Sequence, residues 1–155
     1  MEAVLFIGIQ GSGKSSFYRE RFYETHLRIN RDMVKTLKRE RALIETCLTL
    51  QQRFVLDNTN ATRRERAEYI ALARAARFRV VGFFFQVSTR QAIARNNQRT
   101  GKAKVPLPGL LGTYKRLETP ARDEGFDELF LVTLTPAGQF VMNPAPDRPM
   151  ERSPG

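Results

Sequence analysis

Apolar and polar positions along the chain alternate between short unbroken runs and amphipathic stretches. AVLFI at residues 3–7 is apolar throughout, RFVLD at 53–57 is nearly so, and VVGFFFQV at 80–87 is interrupted only by Gly82 and Gln86. Short continuous apolar runs bounded by turn residues predict strands buried on both faces of a parallel sheet. LRIN at 27–30 and LFLVTL at 129–134 add a short strand and a last one. Between them lie helical periods. One helix is predicted from Lys14, and another over 33–50, with Met33, Leu37, Leu43, Ile44, Cys47 and Leu48 on its buried face. Thr62 with Glu65, and Ser88 with Gln91, have capping-box spacing. They start helices that carry Ala67, Ile70, Ala71 and Arg74 in the first case and run to about Asn97 in the second. The segment 143–155, rich in proline and polar groups, is expected to be a flexible tail behind one domain at 1–142. Strands alternating with helices predict an α/β fold, a three-layer sandwich around a mostly parallel central sheet.

The first strand breaks at Gly8, and Gly8 to Ser15 reads G-x-x-x-x-G-K-S, a P-loop (Walker A). Its glycines let backbone N–H groups turn inward as an anion nest, and the following helix N-terminus adds its dipole. Gly11, Ser12, Gly13, Lys14, Ser15 and Ser16 are therefore expected to bind the phosphates of ATP or another NTP. Lys14 brings a mobile positive charge, and the Ser15 hydroxyl is a Mg²⁺ ligand of that motif.

Ligands of open α/β sheets bind beyond the carboxyl ends of the strands. The P-loop, the Arg31–Asp32 pair and the segment Asp57 to Asn60 each follow a strand, so one cleft should collect them. Asp57 reads as a Walker-B carboxylate near Mg²⁺ or as a turn cap. Asp32 reads as a general base or as a helix N-cap. Thr59 and Asn60 can contact a substrate or fix the turn. Arg95 and Arg99, four residues apart, can close over transferring phosphate as a lid, continued by a basic loop at 100–104. They equally suit a solvated helix end.

Charge changes the picture further. The 155 residues carry +10 at neutral pH with a pI near 10.5, which favours polyanionic partners, nucleic acid first among them. The basic clusters are Lys35, Lys38, Arg39 and Arg41, and Arg63, Arg64 and Arg66. A single cysteine, Cys47, and a single histidine, His26, exclude an intramolecular disulfide and a structural zinc site. No apolar run nears the ~20 residues of a membrane span, and no leader pattern opens the chain. A cytoplasmic setting without membrane partners is the expectation.

GIQGSGKSSF, INRD, VLDNTNATRRERAEYIALARAA, ARNNQRTGKAKVP and YKRLETPARDEGFDELF, taken in order, resemble the kinase module of 5′-polynucleotide kinases, the bifunctional kinase/phosphatases of DNA and RNA end repair. The resemblance runs from about residue 3 to 134. It implies transfer of the ATP γ-phosphate to 5′-hydroxyl ends of DNA or RNA. By position, Lys14 and Ser15 bind phosphate and Mg²⁺, Asp32 is the general base, and Arg99 with Arg95 grips the nucleotide. Asp57 lies by the metal shell, and Thr59 faces the substrate strand. Arg31, Asp32, Lys35, Thr59 and Asn60 make up the expected substrate side. Lys35 stands where the phage enzyme of that family has an arginine on the substrate phosphate. No phosphatase signature is read in these 155 residues, so the expectation is that such a kinase either works alone or docks with separate end-repair proteins, a phosphatase or a ligase. Two other readings stay open: a P-loop kinase of a small molecule, and a non-catalytic nucleic-acid-binding module.

Overall fold

The structure is a computed structural model that describes residues 1–101 and 104–147. Six strands form one sheet: β1 (Glu2–Ile7), β2 (Leu27–Ile29), β3 (Phe54–Asp57), β4 (Arg79–Phe85), β5 (Glu128–Leu134) and β6 (Phe140–Pro144). Their spatial order is β2-β3-β1-β4-β5-β6, with the first five parallel and β6 antiparallel to β5. The helices are α1 (Lys14–Arg21), α2 (Arg31–Val34), α3 (Leu37–Thr49), α4 (Arg63–Ala75), α5 (Thr89–Asn97) and α6 (Leu107–Arg116).

Alternation along β1 divides the core in two. Ala3, Leu5 and Ile7 join Ile44, Ile70, Ala92 and Leu110, one buried apolar residue from each of α3 to α6. Val4 and Phe6 face the other way, into an aromatic cluster with Phe17 and Phe22 beside α1 and Phe83 and Phe85 of β4. The Phe6 ring meets Phe17 at 5.7 Å and Phe85 at 5.0 Å, both edge to face. The sandwich is therefore uneven: four helices contribute to one face, and α1 with bulky aromatics fills the other. Each strand buried on both sides reads as an unbroken apolar run for this reason.

The helix expected over 33–50 is broken. Its beginning belongs to α2, Lys35 takes a φ of 74°, and the Thr36 hydroxyl accepts from Arg39 N at 3.2 Å to start α3. A threonine that satisfies an orphan N–H competes with helix continuation, and here it wins. Met33 (63% exposed) and Leu37 (47%) consequently face away from the core, whereas Ile44 and Cys47 are buried. Both capping boxes form as expected, at Thr62 and Ser88.

Two elements had no sequence-based expectation, α6 and β6. β6 enters the segment expected as a tail: Asn143 pairs with Leu131 and Pro144 with Phe130, and Ala145 is buried. Residues 148–155 of that segment lie outside the described ones. No helix among the described residues is long and apolar enough to cross a membrane.

Candidate functional site

The carboxyl ends of β1, β2 and β3 open into a cleft of about 250 Å³, lined by the P-loop, the start of α2, Asp57, Thr59 and Arg99. The loop takes its shape from glycines in the left-handed region, with φ of 77° at Gly11 and 97° at Gly13. A Cβ on Gly11 would lie 2.8 Å from the Ala92 carbonyl oxygen, so the loop is pressed onto α5 as only glycine permits. Gly13 is the N-cap of α1 and no side chain caps that end, which leaves it to an anion. Ser12 is buried beside it, and Ser16 lies on the exposed side of α1.

Lys14 folds back over the loop, donating to the Gly8 and Ile9 carbonyls at 2.8 Å each. Burial lowers its pKa to about 8; the Arg99 charge pushes the same way, and Asp57 and Asp32 oppose both. An ammonium so reluctant to stay charged gains most from a ligand with negative charge. Arg95 reaches the same loop, its Nη1 3.4 Å from the Gly11 carbonyl, and burial lowers its pKa also. Arg99 follows the end of α5 through a turn, Arg99 N to Asn96 O at 3.0 Å, and reaches the cleft. The two arginines thus stand beside the P-loop. Of the basic loop expected at 100–104, Lys102 and Ala103 lie outside the described residues.

Asp32 lies in the first turn of α2, exposed and lining the cleft. It is not the cap of that helix. Asn30 is, accepting from Met33 N at 3.2 Å, while its amide donates to the Asp57 carbonyl. Asn58 continues the brace by accepting from Arg31 N at 2.9 Å. A capping role thus falls away for Asp32, which projects from a turn tied to the end of β3.

Arg31 lines the cleft, with its guanidinium held by neighbouring side chains. Its guanidinium donates to both oxygens of Glu40, at 3.1 and 2.8 Å, and to Tyr69 Oη at 2.8 Å. Glu40 also accepts from Tyr69 Oη (2.6 Å) and Asn58 Nδ2 (2.8 Å). Burial alone would raise the Glu40 pKa, but the bonds from Arg31, Tyr69 and Asn58 outweigh it and the net shift is downward. Asn60 is likewise structural. Buried with a φ of 44°, it donates to the Phe6 carbonyl at 2.7 Å and ties β3 to β1. Thr59 lines the cleft and its carbonyl accepts from Gly8 N at 3.0 Å, whereas Lys35 is exposed at the turn after α2 and does not line it.

Two residues of the site carried no sequence-based expectation. Gln10 lines the cleft, its amide donating to Thr113 Oγ1 at 3.3 Å while its buried Oε1 has no hydrogen-bond partner among the described residues. Arg28 of β2 lies between Ser15 and Asp57: its Nη2 is 2.7 Å from Asp57 Oδ2 and 3.0 Å from Ser15 Oγ, and its Nε is 2.8 Å from the same Asp57 oxygen. Ser15 and Asp57 are the pair expected to hold Mg²⁺. As arranged they do not fit a divalent ion, because a guanidinium already bridges them. No group of three or more His, Cys, Asp or Glu side chains converges among the described residues.

The AAA domain family matches residues 25–120, from the turn before β2 to beyond α6 and starting after the P-loop. In fold the chain is similar to Kti12 of Chaetomium thermophilum, solved in complex with ADP-AlF3, with a TM-score of 0.68 and 16% identity over 84% of this chain and 88% of that one. It is also similar to the AvrRxo1-ORF1:-ORF2 complex solved with ATP (TM-score 0.68, 13% identity, 91% of this chain), of which it spans only 57%. The PezAT toxin–antitoxin system of Streptococcus pneumoniae gives 0.65 and 13% identity over 90% of this chain and 69% of that one. With more than half its length matched, the chain belongs to the AAA domain family, and it has a P-loop NTPase fold.

Proposed function

We propose that the chain is an ATP-dependent polynucleotide 5′-hydroxyl kinase. The observation that carries this reading is the meeting of Lys14, Asp32 and Arg99 in one cleft at the P-loop, with Asp32 exposed where an acceptor hydroxyl can approach. In the proposed step the 5′-hydroxyl oxygen attacks the γ-phosphorus and its proton passes to the Asp32 carboxylate. The bond from that phosphorus to the β,γ-bridging oxygen breaks, and ADP leaves. Lys14 and Arg99 stabilise the charge spread over the transferring oxygens, and Arg95 keeps the lid end against the P-loop. Thr59 flanks the acceptor side. A chain of charge +10 favours a polyanionic acceptor over a neutral one.

A second reading, a P-loop kinase of a small molecule, is favoured by one observation. Part of the basic clusters is already paired, Arg41 with Glu68 and Arg63 with Asp123 at 3.2 Å, and Arg66 is buried against Glu124 at 2.8 Å. One assay separates the two. γ-Labelled ATP, with Mg²⁺ in the buffer, is offered with 5′-hydroxyl DNA and RNA oligonucleotides, single- and double-stranded, to wild type, Asp32→Asn and Lys14→Ala. Label transfer to an oligonucleotide that both substitutions abolish supports the proposal. Binding of ATP with no oligonucleotide labelled, and transfer instead to a small hydroxyl compound, favours the second reading.

A further inference from the structure

We propose that Arg28 is a built-in cation of the nucleotide site, standing between the P-loop serine and the strand carboxylate so that triphosphate binding does not require a divalent ion. The inference rests on the reading of the cleft as an NTP site and concerns the binding step alone.

Its first support is position. A P-loop protein that binds its nucleotide with a metal needs positive charge between the P-loop hydroxyl and the carboxylate at the end of the neighbouring strand. Here Arg28 Nη2 touches both, at 3.0 Å from Ser15 Oγ and 2.7 Å from Asp57 Oδ2. Unlike an ammonium, a guanidinium remains protonated at every working pH and has donors to spare after contacting two partners.

Rigidity is the second. Arg28 belongs to β2, paired with β3 at Val55, and is not a surface arm swinging in. Its guanidinium carbon lies 5.8 Å from the Tyr18 ring centroid, and its Nη1 meets Met33 Sδ at 3.5 Å. Three elements besides β2 thus hold the group: α1, α2 and the end of β3.

The third support is the energetics of replacement. Asp57 is 2% exposed, and a carboxylate buried that far needs a counter-charge at all times. A divalent ion entering between Ser15 and Asp57 has to shed water and displace a charge-assisted pair. It then meets the repulsion of the displaced guanidinium and of Lys14 nearby.

The test is a titration of a fluorescent (methylanthraniloyl) ATP analogue at fixed ionic strength, in EDTA and in Mg²⁺. The expected result for wild type is an affinity that differs by less than about threefold between the two conditions, because the protein supplies the counter-charge. Arg28→Met, its fold checked by thermal melting, should lose at least about tenfold in EDTA and regain part of it with Mg²⁺. Arg28→Lys, which keeps the charge without the fork, should fall between them. The wild-type pair of titrations decides the matter even if Arg28→Met fails to fold. A wild-type affinity that drops tenfold or more in EDTA overturns the role of Arg28 while leaving the nucleotide site intact. Absence of binding in both conditions overturns the nucleotide reading itself, and the inference with it.

Discussion

Arg31 and Glu40 are locked to each other by two parallel hydrogen bonds, although Arg31 adjoins the cleft and Glu40, on α3, has no exposed surface. Because Arg31 N is also fixed by Asn58, and Asn58 in turn donates to Glu40, the carboxylate holds the turn from which Asp32 projects. Glu40 is a positioning residue in the proposed reaction. Glu40→Gln keeps the volume and removes the charge. Breaking a buried pair at one end typically costs about 3–5 kcal/mol, and the half-exposed Arg31 brings the expected loss to the low end or below. Urea unfolding measures it. Kinetics add the sharper readout: kcat for transfer should fall while KM for ATP stays, and Glu40→Asp should recover less kcat than stability.

Arg66 separates structural charge from binding charge. It is wholly buried, bonded to Glu124 through Nε and Nη2, and donates Nη1 to the carbonyls of Asn60, Ala61 and Glu118. Although it belongs to the basic cluster of Arg63, Arg64 and Arg66, it fastens α4 to the 118–124 segment. Arg66→Ala should destabilise the fold by about 3–5 kcal/mol, since Glu124 is left buried and unpaired. Arg64→Glu, on the exposed face of the same helix, should leave the urea midpoint nearly unchanged. If that face follows a nucleic-acid strand, the slope of log affinity against log salt should lessen by about one.

What the sequence made legible divides along a physical line. Nearly continuous apolar runs located β1, β3 and β4, because burial on both sheet faces leaves that pattern, while β2 and β5, half-buried, were located from short or mixed runs, and the P-loop located the cleft. The side-chain pairings were out of reach because they depend on tertiary register. Arg28 is one charged residue in a three-residue strand, and only the pairing of β2 with β3 brings it to Asp57. Asn60 takes the turn-fixing one of its two readings by donating to the Phe6 carbonyl, whereas the pairings of Arg31 with Glu40 and of Arg66 with buried carbonyls and Glu124 leave no local sequence signal. Two signals could have been read. Pro106 and Pro108 before Leu110, Leu111 and Tyr114 mark the start of α6. The sequence TPAGQ at 135–139 before Phe140 and Val141 marks the hairpin into β6.

The P-loop shape should fail when Gly11 acquires a side chain. With φ at 77° and the Ala92 oxygen 2.8 Å from the added carbon, Gly11→Ala meets both strain and collision with backbone. Left-handed strain alone costs about 1–2 kcal/mol. Relief of the collision has to move the loop off α5, and with it the Gly11 carbonyl that Arg95 contacts. Nucleotide affinity should fall at least about tenfold, a loss of one well-placed contact or more. Gly138→Ala is the control, since Gly138 has a φ of 80° and open space around its added carbon. It should show the strain in a thermal melt and bind the nucleotide as wild type does.

Stability should weaken as pH falls through the titration range of His26. The imidazole is buried, edge-on to Phe22 at 4.9 Å, with Nδ1 2.7 Å from Thr25 Oγ1 and Nε2 3.0 Å from Glu2 Oε1. Burial lowers its pKa below 6.5; the hydrogen bond and charge of Glu2 oppose this, and Arg53 adds to the lowering. The folded protein thus keeps a neutral ring where the unfolded chain takes up a proton. The sign follows: the unfolded state binds more protons between the folded value and 6.5, so unfolding free energy rises with pH across that window and is lost on acidification. One proton limits the slope to about 1.4 kcal/mol per pH unit. Urea midpoints measured from about pH 7.5 to 5 should fall more steeply for wild type than for His26→Gln, the difference being the part due to the ring. A wild-type protein that gains stability over His26→Gln on acidification would show that the pair with Glu2 dominates and that the buried ring is imidazolium.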